Sequence, residues 1–101
     1  MDGFDFIQNL VVKAFGESGW PNDDGEAEIY INGHTIKFVK CVTKRHTYIM
    51  PDGDLLEPRG YNPRPRLIII VDGKIFELAG DFNCIRRIGY DISVATGIKL
   101  L

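Results

Sequence analysis

Apolar residues recur at helical spacing near the start of the chain. Between residues 3 and 15 they fall three and four positions apart, which gives a helix one apolar face. The residues of that face are Phe4, Ile7, Leu10, Val11, Ala14 and Phe15. Asp2 precedes the segment as a capping residue and Gly16 follows it as a stop. The pattern predicts an amphipathic helix over residues 3–15.

Two later segments place alternating residues on either side of the pairs Asn32-Gly33 and Asp72-Gly73. Asn, Asp and Gly adopt the positive φ angles that a type I′ hairpin turn requires, and such a turn determines which residues face each other. The pairs predicted for the first hairpin are Ile31 with His34, Ile29 with Ile36, Ala27 with Phe38, Tyr30 with Thr35 and Glu28 with Lys37. Those of the second are Val71 with Lys74, Ile69 with Phe76, Leu67 with Leu78, Ile70 with Ile75, Ile68 with Glu77 and Arg66 with Ala79.

The strand ending at Val71 is apolar on both faces, which is typical of a central strand with a helix over at least one face. At its start, Arg66 and Glu77 are close enough in this register to pair diagonally. Residues 47–50 predict a further strand between the hairpins. The sequence leaves open whether Leu55-Leu56 joins the sheet.

A second amphipathic pattern follows Asp81, which is a good N-cap, and ends before Gly97, which suits a helix C-terminus. Its predicted inward face is Phe82, Ile85, Ile88, Ile92 and Ala95. Gly89 lowers the helix propensity in the middle of this segment, so a strand over residues 90–94 is the alternative.

Together these elements predict the α+β class. We expect one domain, residues 1–101, with an antiparallel sheet of about five strands that contains two tight β-hairpins. An N-terminal and a C-terminal helix pack on this sheet. A chain of 101 residues is long enough for one modest core.

Charge is distributed unevenly along the chain, although the net charge is only −2. Residues 1–28 hold seven acidic residues against one lysine, and the remainder holds eleven Lys and Arg against seven acids. Such asymmetry can steer a charged partner, or it can reflect a solvated acidic loop beside a mildly basic sheet.

The two cysteines, Cys41 and Cys84, lie far apart among apolar residues, and we expect both to be buried. The N-terminus lacks a signal-peptide pattern, and the longest apolar run, 67–71, is too short to cross a bilayer. These features predict a cytoplasmic protein without a membrane partner.

Catalytic and metal-binding patterns are not found in the sequence. His34 and His46 have no second ligand at metal-site spacing, and the possible nucleophile Cys41 lies in an apolar strand. The acidic residues 23–28 do not follow the calcium-loop pattern. We therefore expect a protein that is not an enzyme and that uses no metal or cofactor.

A basic, proline-containing strip is the main candidate binding feature. Proline holds the guanidinium groups of Arg64-Pro65-Arg66 in an extended array, and arginine suits planar carboxylate or phosphate. The predicted partner-binding residues are Lys44, Arg45, His46, Arg59, Tyr61, Arg64 and Arg66. Their alternative role is a polar connection whose charges favour solubility. Candidate exposed rings are Tyr30, Tyr48 and Tyr61, and Tyr48-Ile49-Met50 is also a candidate apolar docking patch.

These features predict a small protein-binding module, such as an inhibitor or accessory protein of the kind that phages and mobile elements encode. It would dock the basic loop, residues 57–66, on an acidic patch of a larger protein. One alternative is a nucleic-acid-binding module that uses the same strip on phosphates, with strongly salt-dependent binding. Another is a structural subunit that forms a homo-oligomer by edge-strand pairing.

Overall fold

The computed structural model describes residues 2–42, 48–56 and 64–100. The elements in chain order are α1 (Gly3–Phe15), β1 (Gly25–Ile31), β2 (His34–Cys41), β3 (Tyr48–Ile49), β4 (Leu55–Leu56), β5 (Arg66–Val71), β6 (Lys74–Glu77) and α2 (Phe82–Thr96). Four strands form an antiparallel sheet in the order β1-β2-β5-β6, and β3 and β4 form a separate two-stranded sheet. The predicted α+β class is confirmed.

Both hairpins have the predicted register. Asn32 and Asp72 adopt φ angles of 52° and 49°, as type I′ turns require. In the first hairpin Glu28 lies opposite Lys37, and in the second Ile68 lies opposite Glu77. The ladder between β2 and β5 joins the two hairpins antiparallel, and it brings both turns to the same end of the sheet.

The first face of the four-stranded sheet is covered by the two helices. The buried side chains of this core are Phe6, Ile7, Leu10, Val11, Ile36, Phe38, Ile69, Val71, Phe76 and Ile92. Trp20 closes one side, since its ring lies 5.6 Å from that of Phe15 and 6.0 Å from that of Phe38 between centroids. Helix α1 begins and ends as predicted, because the Asp2 carboxylate accepts the amide of Asp5 and the Gly16 amide bonds to the carbonyl of Val12.

The second face is covered in part by the β3–β4 hairpin. A second cluster of buried residues forms there, made of Val39, Cys41, Met50, Leu56, Ile68 and Ile70. This cover explains why β5 is apolar on both faces, because each face lies against a different layer. Leu55-Leu56 therefore pairs with β3 and does not extend the main sheet.

Helix α2 runs without interruption from Phe82 to Thr96, so residues 90–94 are helical. Gly89 lies where α2 meets the beginning of α1: a methyl group on it would lie 2.0 Å from the carbonyl oxygen of Gly3. A methyl group on Gly3 would lie 1.9 Å from the carbonyl oxygen of Arg86. The two helix backbones are thus in direct contact, which only glycine permits at these two positions.

The inward face of α2 differs from the prediction at its two ends. Phe82 is half exposed and Ala95 is exposed, whereas Ser93 and Thr96 are buried. Both hydroxyls are satisfied inside the molecule, because Ser93 donates to the carbonyl of Ile98 and Thr96 to a carbonyl one turn earlier. Burial of a polar side chain is tolerated when it is hydrogen-bonded.

The two cysteines also differ in burial. Cys41 is buried as predicted, but the prediction for Cys84 is wrong, since that thiol is exposed. The physical reason is its position in the first turn of α2. At that position Cys84 lies outside the core-facing side of the helix, on which Ile85 and Ile92 lie.

A test of the helix contact is the substitution Gly89→Ala. Alanine is the better helix former, yet its methyl group would collide with α1, and overpacking of this kind costs about 1–3 kcal/mol of unfolding free energy. We expect a loss in that range by urea unfolding. Asn83→Ala, at an exposed position of the same helix, is the control and should stay within about 0.5 kcal/mol of the wild type. A Gly89→Ala protein as stable as the wild type would contradict the contact.

Candidate functional site

The predicted basic strip lies partly within the described residues. Lys44, Arg45, His46, Arg59 and Tyr61 lie outside them, whereas Arg64 and Arg66 lie inside. Arg64 is exposed and lies two residues before strand β5. The role of all seven residues in binding remains a prediction.

Arg66 is held by a carboxylate of its own sheet. Its Nε lies 2.7 Å from Oε1 of Glu77, and its Nη2 lies 2.9 Å from Oε2. This two-bond fork confirms the predicted diagonal pair, and the hydrogen bond with Glu77 raises the pKa of Arg66 above its usual value. The Arg66 side chain is only 18% exposed. Arg66 therefore joins β5 to β6, and Arg64 is the more accessible of the two cations.

The β3–β4 hairpin presents two aliphatic side chains to solvent. Ile49 and Leu55 face each other across its ladder, and they are 76% and 56% exposed. We call them the Ile49–Leu55 pair. Their chain neighbours Met50 and Leu56 point the other way and are buried, with Leu56 only 1% exposed. Alternation along two short strands thus gives the hairpin one face in the core and one apolar face outside.

Hydrogen bonds in its turn fix the shape of the β3–β4 hairpin, and a contact with β2 fixes its position on the sheet. The amide of Met50 donates to the carbonyl of Asp54 at 2.8 Å, and the amide of Gly53 donates to the carbonyl of Met50 at 2.9 Å. From below, the Cys41 thiol lies 3.8 Å from the carbonyl oxygen of Leu56. These contacts fix the outer face relative to the main sheet.

Of the three candidate rings, Tyr30 is 73% exposed, Tyr48 is half-buried and Tyr61 lies outside the described residues. Burial raises the pKa of the Tyr48 phenol, and the nearby carboxylates of Glu26 and Asp24 raise it further. The ring of Tyr48 thus supports the hairpin from one side and is not an open platform.

A groove borders the exposed pair. It has a volume of about 280 Å³ and lies between the β3–β4 hairpin and the main sheet; its lining residues are Ile49 and Pro51 on the hairpin side, and Glu28, Thr35, Lys37, Ile70, Asp72 and Gly73 on the other. In the sequence, the hairpin stands between residues 43–47 and 57–63, which carry the predicted cations. Within the described residues, Asp52 and Asp54 of the hairpin turn are exposed beside Leu55.

His34 lies between the two hairpin turns. Its Nδ1 is 2.5 Å from Oδ2 of Asp72, whose other oxygen accepts the amide of Thr35 at 3.1 Å. The hydrogen bond with His34, and after it the one with Thr35, lowers the pKa of Asp72 below its usual value of 3.8. The histidine therefore links two turns. Among the described residues, no group of three or more His, Cys, Asp or Glu side chains is placed to hold a metal ion.

Comparison of the chain with protein-family models, curated proteins and solved structures identifies no match in any of the three. In the part of the chain that the structure describes, neither helix is long and apolar enough to cross a membrane. The chemistry of the described surface is therefore the basis for a functional proposal. Its most distinctive part is the Ile49–Leu55 pair, because two adjacent aliphatic side chains are held outward on a hairpin whose other face is core.

The neighbours Leu55 and Leu56 offer a matched test of this geometry. Leu56→Ala removes a fully buried side chain and should cost about 2–5 kcal/mol of unfolding free energy. Leu55→Ala changes the same residue type on the exposed face and should stay within about 0.5 kcal/mol of the wild type. Chemical denaturation measures both. Equal losses for the two variants would contradict the assignment of faces.

The Asp72 carboxylate predicts an acid-sensitive contribution to stability. Because the folded state lowers its pKa, the stabilisation is present above the unfolded value of 3.8 and is lost as the pH falls through the lower, folded value. Asp72→Asn should flatten the acid limb of a plot of unfolding free energy between about pH 7 and pH 2. Asp91→Asn, which changes an exposed carboxyl on α2, is the control. An unchanged acid limb in Asp72→Asn would refute the assignment.

Proposed function

We propose that this chain is a protein-binding module that docks through the region 44–66, with the Ile49–Leu55 pair at the centre of the contact. The observation that carries the proposal is the exposure of this pair beside the buried Leu56. Covering apolar surface is worth roughly 25 cal/mol for each Å² removed from water, and two adjacent aliphatic side chains can be covered together by one partner.

The anchoring of the hairpin supports this function. Met50 and Leu56 hold it against the main sheet, and the turn hydrogen bonds between residues 50 and 54 fix its shape. A surface that is already ordered loses little conformational entropy on binding, so more of the apolar contact appears as affinity. A short hairpin alone is marginally stable in water, and its core-facing side chains provide the missing support here.

The cations that precede and follow the hairpin in the sequence indicate the class of partner. Arg64 is exposed, and the proposed rim also includes the cations Lys44, Arg45, His46 and Arg59 and the ring of Tyr61. In this arrangement Arg66 supports the sheet through Glu77. A protein with an acidic patch around an apolar pocket is the complementary partner, since charges at the rim steer association and the apolar centre supplies affinity.

The aliphatic pair favours a protein over a nucleic acid as the partner. Single-stranded nucleic acids stack their bases on aromatic rings, and duplexes are held largely through phosphates. Ile49 and Leu55 offer neither contact. We further propose that the module acts in the cytoplasm as an inhibitor or accessory protein. Cys41 and Cys84, which both lie within the described residues, are not joined by a disulfide, and this supports a reducing compartment.

A photo-crosslinking experiment tests the surface directly. A benzophenone amino acid replaces Leu55 in one variant and Glu17, exposed in the connection after α1, in another. Both are produced in the native cells and irradiated. We expect one discrete protein adduct from position 55 and none from position 17, because only the former lies at the proposed contact.

Competition makes the result specific. Excess unlabelled wild type should abolish the adduct, whereas Ile49→Ser should compete at least tenfold less well, which corresponds to about 1.4 kcal/mol. Arg64→Glu should compete weakly at low salt and more nearly like the wild type at high salt, as a rim charge does. A nucleic-acid adduct, equal adducts from both positions, no adduct, or full competition by Ile49→Ser would each overturn the proposal.

A further inference from the structure

Strand β1 is an edge of the main sheet, and its seven residues pair only with β2 among the described residues. In an antiparallel ladder, each residue directs its amide and carbonyl either to one neighbouring strand or to the other. The two-residue turn makes Ile31 and His34 a hydrogen-bonded pair, and every second pair behind them is bonded in the same way. The backbone groups of Glu26, Glu28 and Tyr30 therefore point away from β2.

Hydrogen bonds elsewhere in the sheet confirm this alternation. The carbonyl of Thr35 accepts the amide of Asp72 at 3.1 Å, and the amide of Thr35 donates to the same residue's carboxylate. Thr35 thus directs both groups towards β5, so its neighbours His34 and Ile36 direct theirs towards β1. The amide of Leu78 donates to the carbonyl of Leu67 at 2.8 Å, as the same rule requires in the second hairpin.

The side chains along this open edge differ between the two faces. Glu26, Glu28 and Tyr30 are exposed on the second face, and Tyr30 is 73% exposed. Ile29 and Ile31 lie on the first face, where they pack half-buried against the helix-covered core. Just before the strand, the Asp24 carboxylate accepts the amide of Val42, which follows β2, so the acidic side of the edge consists of Glu26 and Glu28. The edge thus has an acidic side and an apolar side.

We propose that β1 accepts an extended segment of a partner protein that alternates basic and β-branched apolar residues, and that this segment adds a fifth strand to the sheet. Its backbone would bond to the outward amides and carbonyls of Glu26, Glu28 and Tyr30, in the manner of strand addition at an open edge. Its basic side chains would lie beside the carboxylates of Glu26 and Glu28 on the second face, and its apolar side chains would pack beside Ile29 and Ile31 on the first face.

The same carboxylates disfavour a second copy of this chain as the occupant. In a two-fold antiparallel pair centred on Glu28, the two Glu28 carboxylates face each other directly. Like charges at opposite positions destabilise a ladder, and charged side chains on edge strands are a common protection against self-association. Glu26 already forms an ion pair across the β1–β2 ladder with Lys37, at 3.3 Å, whereas Glu28 is exposed on the same face.

Amide hydrogen exchange by NMR tests the proposal. The probe is a blocked peptide that alternates lysine and valine over about nine residues, enough to span β1 at the rise of an extended strand. It should slow the exchange of the amides of Glu26, Glu28 and Tyr30 in a saturable manner. The amides of Ala27 and Ile29, which already bond to β2, should change much less. Non-specific charge attraction would not produce this alternation.

Three variants separate backbone pairing from charge. Glu28→Pro removes an outward amide without removing a β1–β2 hydrogen bond, and it should abolish the protection of the outward amides. Glu28→Thr keeps the amide of residue 28 and should retain most of that protection. The double variant Glu26→Lys, Glu28→Lys should bind the corresponding glutamate–valine peptide at least tenfold more tightly than the lysine–valine peptide. Thermal unfolding and the amide spectrum report whether each variant is folded.

These measurements test strand addition at β1 only. Their results do not depend on whether a partner docks at the Ile49–Leu55 pair. Alternating protection with the lysine–valine peptide, lost in Glu28→Pro, supports the proposal. No protection, uniform protection, or equal protection by the glutamate–valine peptide overturns it. Protection that grows with protein concentration in the absence of peptide also overturns it, because the occupant is then a second copy.

Discussion

The antiparallel ladder between β2 and β5 is the constraint on which the rest of the structure depends. Each hairpin sets its own register locally, but only this ladder places Ile36 opposite Val71 and so aligns the two hairpins. Alignment brings the turns together, where Asp72 bonds to both His34 and Thr35. It also makes β2 and β5 the interior strands, so their side chains require a cover on both faces.

The two covers are built differently. On the first face, α1 and α2 lie so close together that Gly3 and Gly89 are in backbone contact. The apolar side chains of the two helices cover the sheet. On the second face, the cover is a hairpin of two short strands, which buries Met50 and Leu56 against the sheet. The outer side of that hairpin is the Ile49–Leu55 pair, so the proposed docking surface is the reverse of a core element.

Much of the local structure was predictable because its causes are local. Asp2 and Asp81 cap the helices that follow them, and the turn residues Asn32 and Asp72 set the pairs within each hairpin. The candidate site was predictable only in part. The sequence identifies both Arg64 and Arg66 as candidate binding cations. In the structure Arg66 is hydrogen-bonded to Glu77 and is therefore less accessible to a partner than Arg64.

The sequence by itself determined α1, the caps of α2, and the registers of the hairpins at Asn32-Gly33 and Asp72-Gly73, because caps, turn residues and alternation act over a few positions of the chain; it left residues 90–94 open between helix and strand. Only the tertiary structure decided what lies against each face. From the sequence, Gly89 is only a position of low helix propensity; the structure shows that α1 contacts it. Leu55 and Leu56 are equivalent in the sequence, but only Leu56 is buried against the sheet. The physical reason is that burial depends on contacts between segments far apart in the chain, which no local pattern records.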